Sequence, residues 1–527
     1  MRLKSILKPS PDQPLPVWMI YPVIFVVLYA SHFALLRLPY YWDEAGYYIP
    51  AAWDFFCTGS LIPFSTLTNA HPPLPSVYLA LWWRVAGFVP EVTREAVLMV
   101  AALGLLAVWR LAMRLVGVAS VAFWTVLLTG LYPVWFAQST LAHADIFAAA
   151  CSLWGLVYAL PGKDRKPWAA ALWFSAAALA KETSIAIPLM LAALALAEGL
   201  LHLPERKRLW REAAWLGSCL LPLAGWYAYH RAKTGFLFGN PEFLRYNAQA
   251  TLAPLRILAA FGHRLLHLTV HMNLFVPVTI GLAAMLLDPK SGVGDKEREN
   301  IGASERVCIF ALLLSNALFF SVLGGALLTR YLLPMFPLVL LLVVTTMYRR
   351  APYWQGLALV SAGAFLVGLF VNPPYGFAPE DNLQYARTIR LHQAAIAQLN
   401  KFAPGATVLT AWPASDELRR PELGYVKQAW DVFPIDDFSV GSIALAARQP
   451  DRYSAALVFS TKYDPPSPWM RFTGELLDEQ YFGLHHDLTP ERIARQLDGA
   501  IVWSRSDGGM WAAVIRFDRA AEARLER

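Results

Sequence analysis

Runs of about 20 predominantly apolar residues recur along the chain and limit what it can fold into, because a helix of that length crosses a hydrocarbon core about 30 Å thick. Of the 527 residues, 57% are hydrophobic and 16% are charged, which is unusual for a soluble globular domain. We therefore predict a polytopic α-helical membrane protein with about eleven transmembrane helices, counted by hydropathy. The predicted spans lie at roughly 17–36, 95–116, 118–137, 142–160, 168–181, 183–201, 212–230, 272–287, 306–328, 330–348 and 354–371.

The basic residues of the short loops predict how these helices are oriented. Lys and Arg are frequent at 2–8, before the first span, and in the loops at 163–166, 205–208, 296–298 and 349–350. Loops rich in Lys and Arg favour the cytoplasmic side of a membrane. With an odd number of spans, the N-terminus is then cytoplasmic and the C-terminus lies outside. The net charge of +7 is explained by this orientation, so we expect no nucleic-acid partner.

Two regions are too polar to span a membrane and are predicted on the outer side. The loop at 40–92 is rich in proline and aromatic residues, which favours one or two helices lying in the membrane interface. From 372 onward the composition is that of a soluble domain. We therefore predict a transmembrane domain at 1–371 and an extracytoplasmic α/β domain at 372–527. In that domain we expect a helix at 378–399 and buried strands at 406–410, 455–460 and 512–517.

Several charged residues lie at the outer ends of the predicted spans: Asp43, Glu44, Asp145, Lys181 and Arg330. A charge at membrane depth needs a partner, a water-filled cavity or a substrate, so charges of both signs on one side indicate a site for an anionic ligand and a proton acceptor. A carboxylate at Asp43 could take a proton from an attacking group, while Glu44 or Asp145 could bind the acceptor or a divalent cation. The alternative for Asp43 and Glu44 is a helix cap or a solvated turn, and Asp145 could likewise cap its helix.

Three basic residues are candidates for binding a phosphate. The guanidinium of Arg330 matches a phosphate in two-point geometry. Lys181 could serve the same ligand, or it could pair with Glu182 or extend to the interface. The two prolines after His71 predict an extended approach to a helix beginning near Leu74. They place His71 at a helix N-terminus, where anions are favoured.

The outer loop at 231–270 holds further candidates. Arg245, Tyr246 and Asn247 could line the entrance for the acceptor. Three histidines recur every four residues and share one helical face; they are His263, His267 and His271. A zinc site is conceivable there, but histidines are commoner at membrane interfaces, and we predict no metal at this position.

Short motifs along the first 370 residues resemble those of the GT-C superfold of polyprenyl-phosphate-dependent glycosyltransferases. The chain is similar to the protein O-mannosyltransferases and the aminoarabinose transferases that act on lipid A, a family 39/83-like group of membrane enzymes. The matching motifs are Trp42-Asp43-Glu44-Ala45, His71-Pro72-Pro73-Leu74, Gln138-Ser139-Thr140 with Asp145, Leu179-Ala180-Lys181-Glu182 and Thr329-Arg330-Tyr331-Leu332-Leu333-Pro334.

The resemblance implies roles for individual residues. Asp43 would be the catalytic base, and Glu44 would contact the acceptor or a metal. Lys181 and Arg330 would bind the lipid phosphate. The aminoarabinose transferases have Lys where this chain has His71, and the large loop domain of the protein mannosyltransferases is not evident here. A C-terminal soluble module is typical of bacterial members, so we expect a bacterial inner-membrane protein.

The function expected from this resemblance is that of an inverting glycosyltransferase, which moves a sugar from a polyprenyl-phosphate donor to a lipid, glycan or protein on the outer face. Membrane lipids are further expected partners. No cofactor is certain from the sequence, although a divalent cation could bind. The alternative is a transporter or flippase for an anionic lipid-linked substrate, which would require charges distributed along a path across the membrane.

Overall fold

The computed structural model of the protein describes residues 17–162, 165–249, 251–291, 297–465, 473–484 and 486–517. Residues 2–8, 163–164 and 296, on which part of the predicted orientation depends, lie outside the described residues. The region before residue 371 is helical. Its helices are α1 Val17–His32, α2 Ile49–Thr58, α3 Leu74–Ala86, α4 Pro90–Leu115, α5 Ala119–Leu131, α6 Pro133–Gln138, α7 Ala144–Ala159, α8 Pro167–Ala180, α9 Ala186–Leu201, α10 Arg206–Gly217, α11 Leu220–Thr234, α12 Pro241–Leu244, α13 Pro254–Thr269, α14 Phe275–Ala284, α15 Ala303–Val322, α16 Phe336–Arg350 and α17 Trp354–Phe370.

The predicted count of eleven transmembrane helices is not confirmed. Among the described residues, three helices are both long and apolar enough to cross a membrane: Pro90–Leu115, Glu182–Leu201 and Ala303–Val322. A fourth span results if Pro254–Asn273 and Phe275–Ala284, which meet at 98°, are counted as one. Several other predicted spans are shorter or broken. For example, Pro133 separates α5 from α6, because proline lacks the N–H that would continue the helix.

Small residues let the helices that position the site pack closely. Gly155 of α7 lies directly against the Phe174 ring of α8, where an added Cβ would overlap the ring. Gly104 of α4 would place a Cβ 3.0 Å from the indole of Trp135. Close backbone approach through small residues is the usual way in which membrane helices associate. As a result, the start of α7 and the end of α8 lie side by side.

The predicted C-terminal α/β architecture is confirmed as a small five-stranded sheet of order β2-β1-β3-β5-β4. In this sheet β1 runs parallel to β2 and β3, while β5 is antiparallel to β3 and β4. The strands are β1 Val408–Ala411, β2 Val432–Ile435, β3 Ala455–Phe459, β4 Ala500–Asp507 and β5 Met510–Arg516, and the helices are α18 Gln384–Phe402, α19 Ala414–Arg419, α20 Val440–Ala447, α21 Glu475–Phe482 and α22 Pro490–Leu497. The sequence predicted α18 and three strands but neither β2 nor β4.

A buried ion pair fixes the loop that follows α1. The guanidinium of Arg94, in α4, donates to the carbonyls of Leu38 (3.0 Å), Pro39 (2.6 Å) and Thr140 (2.6 Å). It also lies 3.3 Å from the carboxylate of Glu44, and both side chains are fully buried. Because a buried charge is costly unless it is paired and hydrogen-bonded, this arrangement holds three segments in one geometry.

Replacing Arg94 with alanine is expected to destabilise the protein strongly, because it leaves the Glu44 carboxylate buried without its cation. Removing one partner of a buried pair costs on the order of 3–5 kcal/mol. The matched control is Arg37→Ala, since Arg37 makes an exposed ion pair with Glu91 at 3.4 Å. Thermal unfolding in detergent measures both variants. Equal unfolding temperatures for the two would contradict this interpretation of the pair.

Candidate active site

Arg330 lies at the centre of a cluster of carboxylates that come from distant parts of the chain. It belongs to the short helical turn Thr329–Leu332 that precedes α16. One terminal nitrogen donates to Glu380 and the other to Asp43. Its Nε lies 3.2 Å from Oδ2 of Asp145, although the two are not aligned as a hydrogen bond. Arg330, Asp145 and Glu380 are buried, whereas the Asp43 side chain is 36% exposed.

Lys181 adds a second cation to this cluster. Its Nζ donates to Oδ1 of Asp145 at 2.5 Å and lies 4.1 Å from the centre of the Tyr331 ring. Asp145 occupies the first turn of α7, where the helix dipole favours a negative charge. Lys181 immediately follows α8. The close packing of α7 against α8 therefore places the two side chains in contact.

A partly open cavity lies beside these charges. Its polar lining includes Asp145, Lys181 and Arg330, together with Ser152, Ser184 and Asn316. Four buried polar atoms of these residues have no hydrogen-bond partner in the described part of the chain: Nε of Arg330, Oδ2 of Asp145 and the hydroxyl oxygens of Ser152 and Ser184. Buried polar groups are normally paired, so the cavity offers two cations and several uncommitted donors to a ligand.

Glu44 does not join this cluster. Its carboxylate accepts the backbone N–H groups of Tyr41 (2.9 Å) and Ala142 (2.6 Å) and pairs with Arg94, as described above. Asp43 and Glu44 are adjacent in sequence but point to different partners. Glu44 therefore stabilises the conformation of the loop after α1, whereas Asp43 lies at the exposed side of the site.

His71 also lies apart from Arg330. Its Nδ1 is 3.1 Å from the carboxylate of Glu182, and its ring packs at centroid distances of 5.3 Å from Tyr47 and 5.8 Å from Tyr48. The predicted helix after the two prolines begins at Leu74. Glu182 is the residue after Lys181. His71 therefore lies near a predicted phosphate-binding residue, but its direct partner is a carboxylate.

The predicted acceptor entrance packs on the loop that leads to Arg330. Arg245, Tyr246 and Asn247 form the start of a helical turn at Arg245–Gln249. Asn247 accepts hydrogen bonds from the backbone N–H groups of Gly324 (2.9 Å) and Gly325 (3.2 Å). The Tyr246 side chain lies over Gly325 and is 54% exposed.

The C-terminal region contributes residues that the sequence analysis missed. Glu380 accepts a hydrogen bond from Arg330, and the carboxylate of the next residue, Asp381, accepts one from Nε2 of His271 at 3.0 Å. Both acids follow the last predicted span closely, as Asp43 and Glu44 follow the first. The predicted helix at 378–399 includes both residues, whereas the structure places them in a short turn before α18.

The sheet domain also packs against the turn that carries Asp43. Trp42 has a φ of 50°, a left-handed conformation that costs a residue with a Cβ about 1–2 kcal/mol. Its ring meets that of Trp412 edge to face at 4.7 Å. A Cβ added at Gly46 would lie 2.9 Å from the Trp412 indole. Trp412 thus covers the turn and helps to hold Trp42 in this conformation.

The described residues provide no group of three or more His, Cys, Asp or Glu side chains with the geometry of a metal site. The carboxylates best placed to ligate a cation, those of Asp43, Asp145 and Glu380, surround the Arg330 guanidinium instead.

Solved structures of one protein, in two states, match almost the whole chain. ArnT from Cupriavidus metallidurans bound to undecaprenyl phosphate has a TM-score of 0.54 at 14% identity, covering 94% of this chain and 97% of that chain. The apo state of ArnT has a TM-score of 0.52 at 14% identity, with 95% and 98% covered. This chain has their fold. The prediction of a helical membrane protein agrees with this shared fold and with the three helices that are long and apolar enough to cross a membrane.

Other comparisons add little. A structure of the oligosaccharyltransferase AglB from Archaeoglobus fulgidus, in complex with an inhibitory peptide and a dolichol-phosphate, matches with a TM-score of 0.43 at 11% identity, covering 83% of this chain and 69% of that chain. It is too distant to support an inference. No protein-family model matches the sequence, and no curated protein matches it.

Glu380 is expected to make stability depend on pH. Burial raises the pKa of its carboxyl from 4.5 to about 8, with Arg330 opposing the shift and Asp43, Asp381 and Asp145 adding to it. The unfolded chain loses this proton near pH 4.5, whereas the folded chain keeps it to about pH 8. The contribution of protonated Glu380 to the free energy of unfolding is therefore complete below pH 4.5 and is lost as pH rises to about 8.

The difference in unfolding temperature between wild type and Glu380→Gln measures this effect, since glutamine cannot titrate. We expect the advantage of the wild type to be larger at about pH 5 than at about pH 9. Glu479→Gln, which changes an exposed glutamate, is the control and should show no such trend. An equal difference at both pH values for Glu380→Gln would contradict the assignment.

Proposed function

We propose that this protein is an inverting glycosyltransferase that moves a sugar from a polyprenyl-phosphate donor to an acceptor at the outer face of a bacterial inner membrane. The observation that carries the proposal is the cavity beside Lys181 and Arg330, whose uncommitted donors suit a phosphate. At the other end of the same guanidinium lies the partly exposed carboxylate of Asp43. The fold, shared with a protein solved with undecaprenyl phosphate bound, supports this class of donor.

In the proposed reaction, the bond between the anomeric carbon of the sugar and the phosphate oxygen breaks, and the phosphate keeps the electron pair. The nucleophilic atom of the acceptor bonds to the anomeric carbon from the opposite side, which inverts its configuration. The acceptor's proton passes to the carboxylate of Asp43, the general base. The phosphodiester of the donor, with one negative charge, becomes a phosphomonoester with a charge of about −1.5 to −2 at pH 7.

The cations stabilise the charge that develops on the leaving phosphate. Lys181 and Nε of Arg330 line the cavity in which we place that phosphate. Fixed donors in a site that excludes water are worth more than the same donors in solution. When Asp43 takes the proton it becomes neutral, so its hold on Arg330 weakens as the phosphate gains charge. The guanidinium of Arg330 thereby couples the protonation of Asp43 to the stabilisation of the leaving phosphate.

The acceptor is placed on the exposed side of Asp43, beneath Trp412 and near the turn at Arg245–Gln249. Lipids, glycans and proteins all remain candidate acceptors. We place the N-terminus in the cytoplasm and the domain at 372–527 outside, above the transmembrane domain at 1–371, with the helices α2 and α3 of the loop at 40–92 in the interface. In this arrangement the charge cluster lies at the outer boundary of the membrane.

Asp43→Asn is expected to lower sugar transfer by about 10²–10⁴-fold, the usual contribution of a general base. Transfer from a panel of radiolabelled polyprenyl-phosphate sugars into membrane fractions measures it, at matched expression. The control is Asp436→Asn, which changes an exposed carboxylate of the C-terminal domain and should leave transfer unchanged. The labelled fraction also identifies the class of acceptor.

The transporter or flippase alternative gives the opposite result in the same experiment. It predicts no transfer from any donor, together with lipid flipping or uptake that survives Asp43→Asn. Transfer that persists in Asp43→Asn would retain the glycosyltransferase but remove Asp43 as its base.

A further inference from the structure

Asp145 places a negative charge inside the cavity proposed for the phosphate. One of its oxygens binds Lys181 at 2.5 Å, and the other lies 3.2 Å from Nε of Arg330. The side chain is almost completely buried, with 2% of its surface exposed. Its backbone belongs to the first turn of α7, which is packed against α8. A phosphate that enters the cavity therefore meets both cations already paired with a carboxylate that has little freedom to withdraw.

The charges around this position are nearly balanced. Two cations, Lys181 and Arg330, face three carboxylates, so the cluster carries one excess negative charge when every group is ionised and none when Glu380 is protonated. The tyrosines that feel the charge of Asp145, namely Tyr48 and Tyr331, are neutral hydroxyls. A ligand with one negative charge can enter such a site more easily than a ligand with two, because each added charge is repelled by the fixed carboxylate.

We propose that Asp145 is a specificity-determining residue, which lets the site hold the singly charged phosphodiester of the donor and weakens its hold on the doubly charged phosphomonoester product. The inference rests on the proposed function. Directly after transfer, protonated Asp43 no longer competes with the product for Arg330. Once the exposed Asp43 side chain gives its proton to water, the carboxylates of Asp43 and Asp145 again compete with the product for Arg330, and the polyprenyl monophosphate leaves.

Direct binding to the purified protein tests this without any need for turnover. The probes are undecaprenyl monophosphate and its methyl diester, measured in detergent at about pH 8, where the monoester carries its second charge. We expect Asp145→Asn to bind the monophosphate about tenfold more tightly than wild type does, and to change diester binding much less, since removal of a fixed charge acts in proportion to the charge of the ligand. Asp436→Asn is the control and should change neither affinity.

Because the expected result is a gain of affinity, a variant that merely fails to fold cannot produce it. A second measurement needs no variant at all. In wild type, the affinity for the monophosphate relative to the diester should fall as pH rises past about 6, where the monoester gains its second charge. The comparison is made between about pH 5 and about pH 7, because Glu380 titrates near pH 8 and its charge would act more strongly on the doubly charged monoester than on the diester.

The outcomes separate this inference from the proposed function. If wild type binds neither lipid, the proposed function fails. If wild type binds both, but Asp145→Asn leaves the ratio of affinities unchanged or weakens monophosphate binding, the role of Asp145 is overturned while the donor class stands. A wild-type ratio that rises with pH would overturn the role of Asp145 in the same way.

Discussion

The buried guanidinium of Arg330 is the interaction on which the site depends. It joins Asp43 from the loop after α1, Asp145 from α7 and Glu380 from the start of the C-terminal region. A charge taken out of water is tolerated only with partners of opposite sign and good geometry. Asp43 and Asp145 therefore compensate the buried charge of Arg330, and Glu380 accepts a further hydrogen bond from it. The bond to Glu380 links the packing of the helices to that of the C-terminal region.

The same pairing of charges supports the proposed lipid-phosphate donor. Lys181 and Arg330 are paired with carboxylates, so the charges around the cavity nearly cancel. This lowers the free-energy cost of burying them. A phosphate can exchange with these carboxylates instead of bringing an uncompensated charge to the membrane boundary. Arg330 contacts the proposed base, Asp43, and also lines the proposed phosphate cavity. Proton transfer to Asp43 and the growth of charge on the leaving phosphate therefore both act on this one side chain.

Charge at membrane depth was the strongest guide in the sequence, and it was only partly sufficient. It selected Asp43, Asp145, Lys181 and Arg330, which the structure brings together, because each of these charges needs a partner. It could not separate Asp43 from Glu44, since the Arg94 that binds Glu44 lies 50 residues away in sequence. It also missed Glu380, whose neighbours in sequence are typical of a soluble domain.

In the fold, too, features set by neighbouring residues were predicted, and features set by tertiary packing were not. Long apolar runs correctly indicated membrane helices, yet hydropathy alone could not show where Pro133 interrupts a run or where α13 and α14 bend by 98°. In the sheet, the fully buried strand β3 was recognised. The partly exposed strands β2 and β4 were missed, because their pattern depends on which face the neighbouring strands cover.

A structure of the protein determined with undecaprenyl phosphate tests the central claim most directly. The account predicts that the phosphate lies in the cavity lined by Lys181, Arg330, Ser152 and Ser184, and that the ion pair of Lys181 with Asp145 is opened or lengthened from 2.5 Å. A phosphate bound elsewhere, with that ion pair and the contact of Arg330 with Asp43 unchanged, would contradict it.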